Sequence, residues 1–473
     1  MATPPEDAPR FLSSPARHFA EIADAEPFTP VRRDRAVAFQ GAAESEPAGD
    51  QQTIDALSER IEMLEKQNRK SGQTEKKDPK KGGSSGSFEH NIFGRIMADT
   101  VTFGQSPGNI AQVGHAPNGT AFRRVRIGVQ GEGHDIYFYR LEVDFASPGQ
   151  VIKQVPRVTD AYAEIRKLPF GTIRMGEFRV PFSAERLASS NDTTFIERGL
   201  PQAFNPARQL GIMAYDSTEN YFFSWYSDVS TRDATNQGQQ FGKAGRVALT
   251  QRVVFLPWYD EPSGGRYLFH IGGAYQFQDV RNQAVNYSTT PEVFLYDGTT
   301  NEIPKFISTG NITTRDVNMV QAEASTVLGP LSFQAEYYGV FVDPTVNRFN
   351  KDLFFSGWYV YGSFFLTGEN RHYNRDQAFY DAVTPFTNFF RVRGQDGSII
   401  QGPGAWEIAA RASQMNLSDR NIQGGLLNDF TLGLNWYLTK QMRVSANYIY
   451  VVNNVHNKQT YANVVVTRAQ VVW

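Results

Sequence analysis

NVVVTRAQVVW, residues 463–473, ends the chain. Within it Val465, Thr467, Ala469, Val471 and Trp473 alternate with Val464, Val466, Arg468, Gln470 and Val472. A period of two marks a β-strand with two unlike faces. Soluble domains usually end in a frayed polar tail, so an aromatic last residue suggests that the terminus is itself structural. A strand with one lipid face and one wet face, ending on Trp, predicts the closing strand of a transmembrane β-barrel.

Composition bounds that reading. The 473 residues include 35 Phe, 21 Tyr and 6 Trp, and no Cys. Mean hydropathy is nevertheless -0.43, a value typical of water-soluble proteins. No apolar run reaches the ~18 residues that a membrane helix needs. In a barrel wall, inward polar residues cancel outward apolar ones in any average, which reconciles the two observations. Without Cys there are no disulfides and no thiolate metal sites, and neither metal nor cofactor is expected. A net charge of -2 makes no case for a nucleic-acid partner.

Ahead of the barrel the texture differs. Residues 1–50 are rich in Ala, Pro and charge and read as a disordered segment. The start, MATPPEDAPRFLSSPARHF, shows no basic stretch followed by an apolar one, so no signal peptide is visible. A barrel must be exported, and the expectation is therefore a mis-assigned start or a trimmed chain. Residues 51–70 place Ile54, Leu57, Ile61 and Leu64 at heptad a and d spacing, a short coiled coil. Two heptads are too short to hold alone but could bundle if a trimeric body gathered three copies. A charged, flexible linker follows at 71–88.

From 89 onward the chain reads as one all-β domain to 473. It divides into sixteen alternating segments: 91–102, 121–131, 136–146, 158–167, 171–181, 208–216, 220–228, 244–255, 266–278, 315–327, 331–342, 354–366, 405–415, 428–438, 441–451 and 462–473. An even number of strands of this length is what a bacterial antiparallel barrel requires. Short turns near 133–135, 168–171, 217–220, 329–330 and 438–441 alternate with long loops at 103–120, 147–157, 182–207, 279–314 and 416–427. Short turns opposite long loops put both termini on the periplasmic side. Tyr267, Phe269, Tyr275 and Phe277 bracket the ninth segment as interfacial girdles would. A large soluble sandwich also alternates, but it would carry a second apolar face.

Alternation then assigns the wall. Arg124, Arg126, Gly128 and Gln130 share the inward face of their segment, and the same parity turns Arg140, Arg174, Arg246, Arg252, Arg443 and Arg468 inward. Guanidinium suits oxyanions because its planar fork binds two oxygens and never loses its charge. Glu142, Asp144, Glu164, Glu323 and Glu336 also point inward, so part of the ladder is expected to pair with wall carboxylates. Two connections are long enough to fold into the lumen. Loop 182–207 carries Arg186 and Arg198, with Arg208 just beyond it. Segment 368–404, on the periplasmic side where turns should be short, carries Arg371, Arg375, Arg391 and Arg393. The alternative for each connection is a solvated flap.

At these residues the chain resembles the phosphate-selective porin O and P family. The resemblance is carried by GRIMADTVTF, RRVRIGVQGEGHDIYFYRLEVDFA, DAYAEIRKLPFGTIRMGEFRVPFSAERLASSNDTTFIERGLPQAFNPARQLGI, SGWYVYGSFFLTGENRHYNR, GPGAWEIAARASQMNLSD and FTLGLNWYLTKQMRVSANYIYV, spanning about 91–473. It implies a homotrimer in outer-membrane lipid that passes inorganic anions, with a loop and a periplasmic segment narrowing each pore. It also implies lysines in the narrow zone, yet both constricting segments lack Lys. A coil ahead of the barrel is similar to some porins of bacteria with unusual envelopes, which implies a periplasmic coil that contacts the cell wall. Other readings are a general diffusion porin for small hydrophilic solutes, a structural tether and a barrel enzyme. The last is disfavoured because no GxSxG occurs and the seven His show no spacing that pairs them with a nucleophile.

Overall fold

The structure, a computed structural model, describes residues 89–146, 156–206, 208–231, 246–295, 303–345, 352–393 and 397–473. The segment 1–50, the coil through Ile54, Leu57, Ile61 and Leu64, and the linker 71–88 lie outside the described residues. Period-two patterning is realised as sixteen barrel strands. They are β1 (Glu89–Gln105), β2 (Gly119–Gly133), β3 (Tyr137–Asp144), β4 (Arg157–Leu168), β5 (Gly171–Arg179), β6 (Arg208–Ser217), β7 (Phe223–Thr231) and β8 (Val247–Tyr259), then β9 (Tyr267–Val285), β10 (Ile312–Leu328), β11 (Leu331–Pro344), β12 (Leu353–Phe365), β13 (Ala405–Asp419), β14 (Ile422–Tyr437), β15 (Met442–Val455) and β16 (Lys458–Val472).

Each strand pairs antiparallel with its sequence neighbour, and β1 pairs with β16, so no edge is left open. The last residue completes the seam. Gly94 and Trp473 exchange backbone hydrogen bonds of 3.0 and 3.1 Å. A Cβ at Gly94 would lie 2.2 Å from the Trp473 ring, so only glycine fits beneath the indole. Alternation holds along β16, where Val464, Val466 and Arg468 are buried and Val465, Thr467 and Ala469 are exposed to the outside.

The five short turns stand as expected, all at the end that carries both barrel termini. At the far end most strands run further than their patterning suggested, while β3, β5 and β8 stop two or three residues short. Loop 416–427 is a correction: β13 and β14 continue as a hairpin and leave only residues 420 and 421 between them. Alternation survives there, with Leu417 and Leu427 fully buried, and Arg420 takes a φ of 52° to make the tight turn. The β15–β16 hairpin is closed likewise by His456 and Asn457, both at positive φ. The first loop is partly helical, α1 (Pro107–Val113).

The inner wall is less polar than expected, and this is a second correction. Val340, Val342, Val451, Val464 and Val466 face inward and are buried. They are covered by Phe182, Leu200 and Phe204 from loop 182–207 and by Val293, Leu295 and Phe306 from the β9–β10 connection. A smaller cluster at the other end seats Tyr373, Ala378 and Tyr380 of the β12–β13 connection against Val254, Leu256 and Leu268. An apolar residue can point into a barrel when a loop, and not water, is its neighbour.

Candidate functional site

Loop 182–207 folds into the lumen, and the wall holds it by its backbone. Ser183 caps the short helix α2 (Ala184–Leu187), its Oγ accepting from the Arg186 N–H. Wall carboxylates take the remaining N-terminal donors. Glu323 accepts from Ala184 N at 2.8 Å, and Glu336 accepts from Glu185 N at 2.9 Å and from the Ser183 hydroxyl at 2.8 Å. Negative charge belongs at a helix N-terminus, where unpaired N–H groups concentrate.

Carbonyl groups further along are taken by cations and amides. Arg179 donates to Leu187 O and Ala188 O, and Arg198 donates to Glu185 O and Ala188 O. Then Gln470 holds Asn191 O, Arg371 holds Asp192 O, Arg443 holds Thr193 O, and Asn435 holds Thr194 O. Arg468 and Arg411 close the series on Ile196 O and Glu197 O. This clamp satisfies a loop that would otherwise bury unpaired backbone acceptors.

The inward arginines therefore divide into groups. Arg252 and Arg468 on the wall and Arg371 on the β12–β13 connection are anchors buried against carboxylates: Arg252 with Glu323, Arg371 with Glu407, and Arg468 with Asp99 and Glu197. Arg443 is buried too and bonds Gln470 and Tyr437 besides the loop. Arg246 precedes β8 with Nη2 buried and unbonded among the described residues. Nearer the rim, Arg375 pairs with Glu261 and stacks on Tyr221 and Tyr259, and Arg391 and Arg393 are exposed.

The second group lies on β1–β6. Arg126 pairs with Asp144 and Glu142, Arg140 with Glu142, Arg174 with Glu164 and Arg208 with Asp160. Arg124 lies 3.9 Å from Glu197. Arg186 and Arg198 join this group from the loop. Among the described residues neither has a carboxylate ion pair. Burial and the cations Arg198 and Arg208 push the Arg186 guanidinium down to about 9. Burial also pushes Glu197 up, but Arg123, Arg124 and Arg468 outweigh it and hold this carboxyl well below the usual range. The local field is positive.

Two members of this group, Arg123 and Arg179, escape simple parity, and a third, Arg95, obeys it. Arg123 occupies a bulge opposite Met97 and Ala98, which lets it and Arg124 both turn inward, Arg123 reaching Glu197 at 2.7 Å. Gly176 has a φ of 131°, which disturbs the pleat so that Arg174 and Arg179 both reach the lumen. Arg95, on the inward face of β1, pairs with Glu142 at 2.6 Å and donates to Ser190. The alternation of β1 alone would have found Arg95, as that of β13 would have found Arg411.

Below the loop a cavity of about 530 Å³ opens against this wall, lined by Arg140, Arg166, Arg174 and Arg179 and floored by residues 374–381. A narrowed, cation-rich passage in a closed barrel can filter solutes by charge and by size. It shows no group of three or more metal-ligating side chains among the described residues.

Known proteins resemble the chain along its barrel. Porin O of Pseudomonas aeruginosa is 23% identical over 393 residues, covering 76% of this chain and 82% of that protein. A Caulobacter vibrioides protein is 22% identical over 374 residues, covering 77% of this chain and 69% of its own length. Similar solved structures include OmpT of Vibrio cholerae, with 12% identity, a TM-score of 0.49, and coverage of 82% of this chain and 98% of that one. An anion-selective porin from Comamonas acidovorans has 13% identity and a TM-score of 0.49, covering 82% and 100%. The sequence profile described as phosphate-selective porin O and P matches residues 95–473.

Proposed function

This chain belongs to the phosphate-selective porin O and P family, and from that premise we propose that it is a passive outer-membrane channel that prefers anions, phosphate and other oxyanions among them. The preference has to be argued from the passage, because one fold serves many solutes. The observation that carries it is the trio Arg179, Arg186 and Arg198 around α2, cations without a carboxylate ion pair among the described residues. Arg198, Arg208 and Arg123 surround Arg186 with like charge, Glu185 and Glu197 offset part of the field at Arg198, and an incoming anion would relieve the repulsion that remains. Arginine, not lysine, supplies this charge, which favours a bidentate grip on oxyanions. The homotrimer implied by the family belongs to the same reading.

A second reading rests on Glu142, Asp144 and Asp160. They neutralise Arg126, Arg140 and Arg208, as the wall of a general diffusion porin would. Planar-bilayer recordings separate the two. Under a KCl gradient the reversal potential should report anion preference, and Arg186→Ala with Arg198→Ala should move it toward zero. Phosphate should block the chloride current, less so in the double variant. A cation-selective or silent channel would overturn the proposal, and a reversal potential near zero in the unaltered protein would favour general diffusion.

A further inference from the structure

The cavity beneath the loop has a composition that an inorganic anion does not call for. Its cations are Arg140, Arg166, Arg174 and Arg179, and its carboxylates are Asp160, Glu164 and Asp381. The two sets nearly balance. Four arginines against three carboxylates leave a surplus of one positive charge, which a monoanion matches and a multiply charged phosphate exceeds. Aromatic rings complete the lining: Phe138 and Tyr162 from the wall, and Phe379 from the β12–β13 connection. Phe138 and Tyr162 lie 6.1 Å apart, with Arg166 stacked 4.2 Å from the first ring and Arg174 4.5 Å from the second.

The two stacked arginines share one acceptor. Arg166 Nε and Arg174 Nε each donate to Glu164 at 2.7 Å, one to each oxygen. Arg174 Nη2 also pairs with Glu164 and reaches the Tyr215 hydroxyl at 3.4 Å, and Arg166 Nη1 lies 3.6 Å from Glu132. Arg174 Nη1 and Arg166 Nη2 remain as the donors open to a ligand among the described residues. The volume of about 530 Å³ lies within the roughly 300–1,000 Å³ typical of organic-ligand sites.

We propose that this chamber is a binding site for small aromatic carboxylates, which enter it through the anion-preferring passage. The carboxylate pairs with the terminal N–H groups of Arg166 or Arg174, and the aryl ring lies against Phe138, Tyr162 and Phe379. The site rests on the proposed anion preference for access, not for its chemistry. Benzoate and acetate carry the same charged group and differ in the ring, so together they isolate the aromatic contribution.

The test is block of the chloride current of the full chain in planar bilayers by benzoate, acetate or inorganic phosphate, each added to the side of the long loops. Benzoate should block at about tenfold lower concentration than acetate, the factor that one aromatic contact with its burial supplies. Phe379→Ser and Phe138→Leu should each shrink the benzoate-to-acetate ratio, with acetate block of the same variant as its reference. Equal block by benzoate and acetate in an anion-selective channel would overturn the aromatic site and leave the channel reading intact. Benzoate-selective block in a channel without anion preference would do the reverse. A ratio unchanged in both variants would also overturn the proposal, since the preference would then arise elsewhere.

Discussion

Arg468 is buried with its guanidinium spread over Asp99, Glu197 and Ile196 O, so it joins the closing strand to β1 and to the constricting loop. Replacing it by Ala strands buried Asp99 and takes one of three cations from Glu197, and loss of one partner of such a buried pair costs about 3–5 kcal/mol. Arg468→Ala should lower urea stability by that order, and an unchanged midpoint would show that the pair is dispensable. Asp192, on the same loop, behaves differently. Burial and then Asp381 raise its carboxyl to about 6, against the opposing pull of Arg443, Arg95 and Arg371. The folded state thus holds a proton that the unfolded chain has released above its ordinary value of 3.8. Stability conferred through Asp192 therefore falls as pH rises from about 4 to about 6, and the cost of its charge is fully present above that window. Amide exchange of residues 188–194 should accordingly be slower at pH 5 than at pH 7 after correction for intrinsic rates. Asp192→Asn should abolish the difference; if the difference persists, another group is responsible.

At the scale of elements, the constricting loop has too little regular structure to hold its own shape. Its helix α2 has four residues, far short of independent stability. Glu336 anchors the N-terminus of that helix through Ser183 and Glu185, and it also accepts from Gln202 and Tyr338. Glu336→Ala removes all four contacts at once. Open-channel noise should rise, and trypsin should begin to cut after Arg186 or Arg198, read by mass spectrometry. Continued resistance would mean that the carbonyl clamp is sufficient alone. The position of this loop was legible from its length and its place after the fifth strand. Its clamp was not, because the partners of residues 187–197 come from β1, β2, β5, β12, β13, β14, β15 and β16 and from Arg371, on the β12–β13 connection, far apart in sequence.

For the whole molecule, closure depends on the seam between first and last strands. Gly94 accepts the Trp473 ring on one side, and a Cβ there would also come within 2.7 Å of Arg126 O. Gly94→Val should impair assembly, seen as loss of the compact, heat-modifiable band in unboiled gel samples. Adding Trp473→Ala to Gly94→Ala should recover part of that band if the ring is the main obstacle. Full folding of Gly94→Val would instead mean that the seam can shift register.

The chain by itself determined the barrel, its sixteen strands and the side of the wall on which Arg126, Arg252 or Arg468 lies, since a strand's two faces are set by counting alternate residues. It also pointed to the two connections that fold inward. Only the tertiary structure decided which inward arginines meet water and which meet a loop. Parity gives direction, but exposure depends on what covers the residue, and those covers arrive from distant segments. Local backbone settled the remainder: a bulge turned Arg123 inward and a left-handed glycine brought Arg179 beside Arg174, neither visible in a strict period of two. The last strand shows both limits. Its pattern placed Arg468 inside, and only the fold turned that arginine from a pore lining into a clamp.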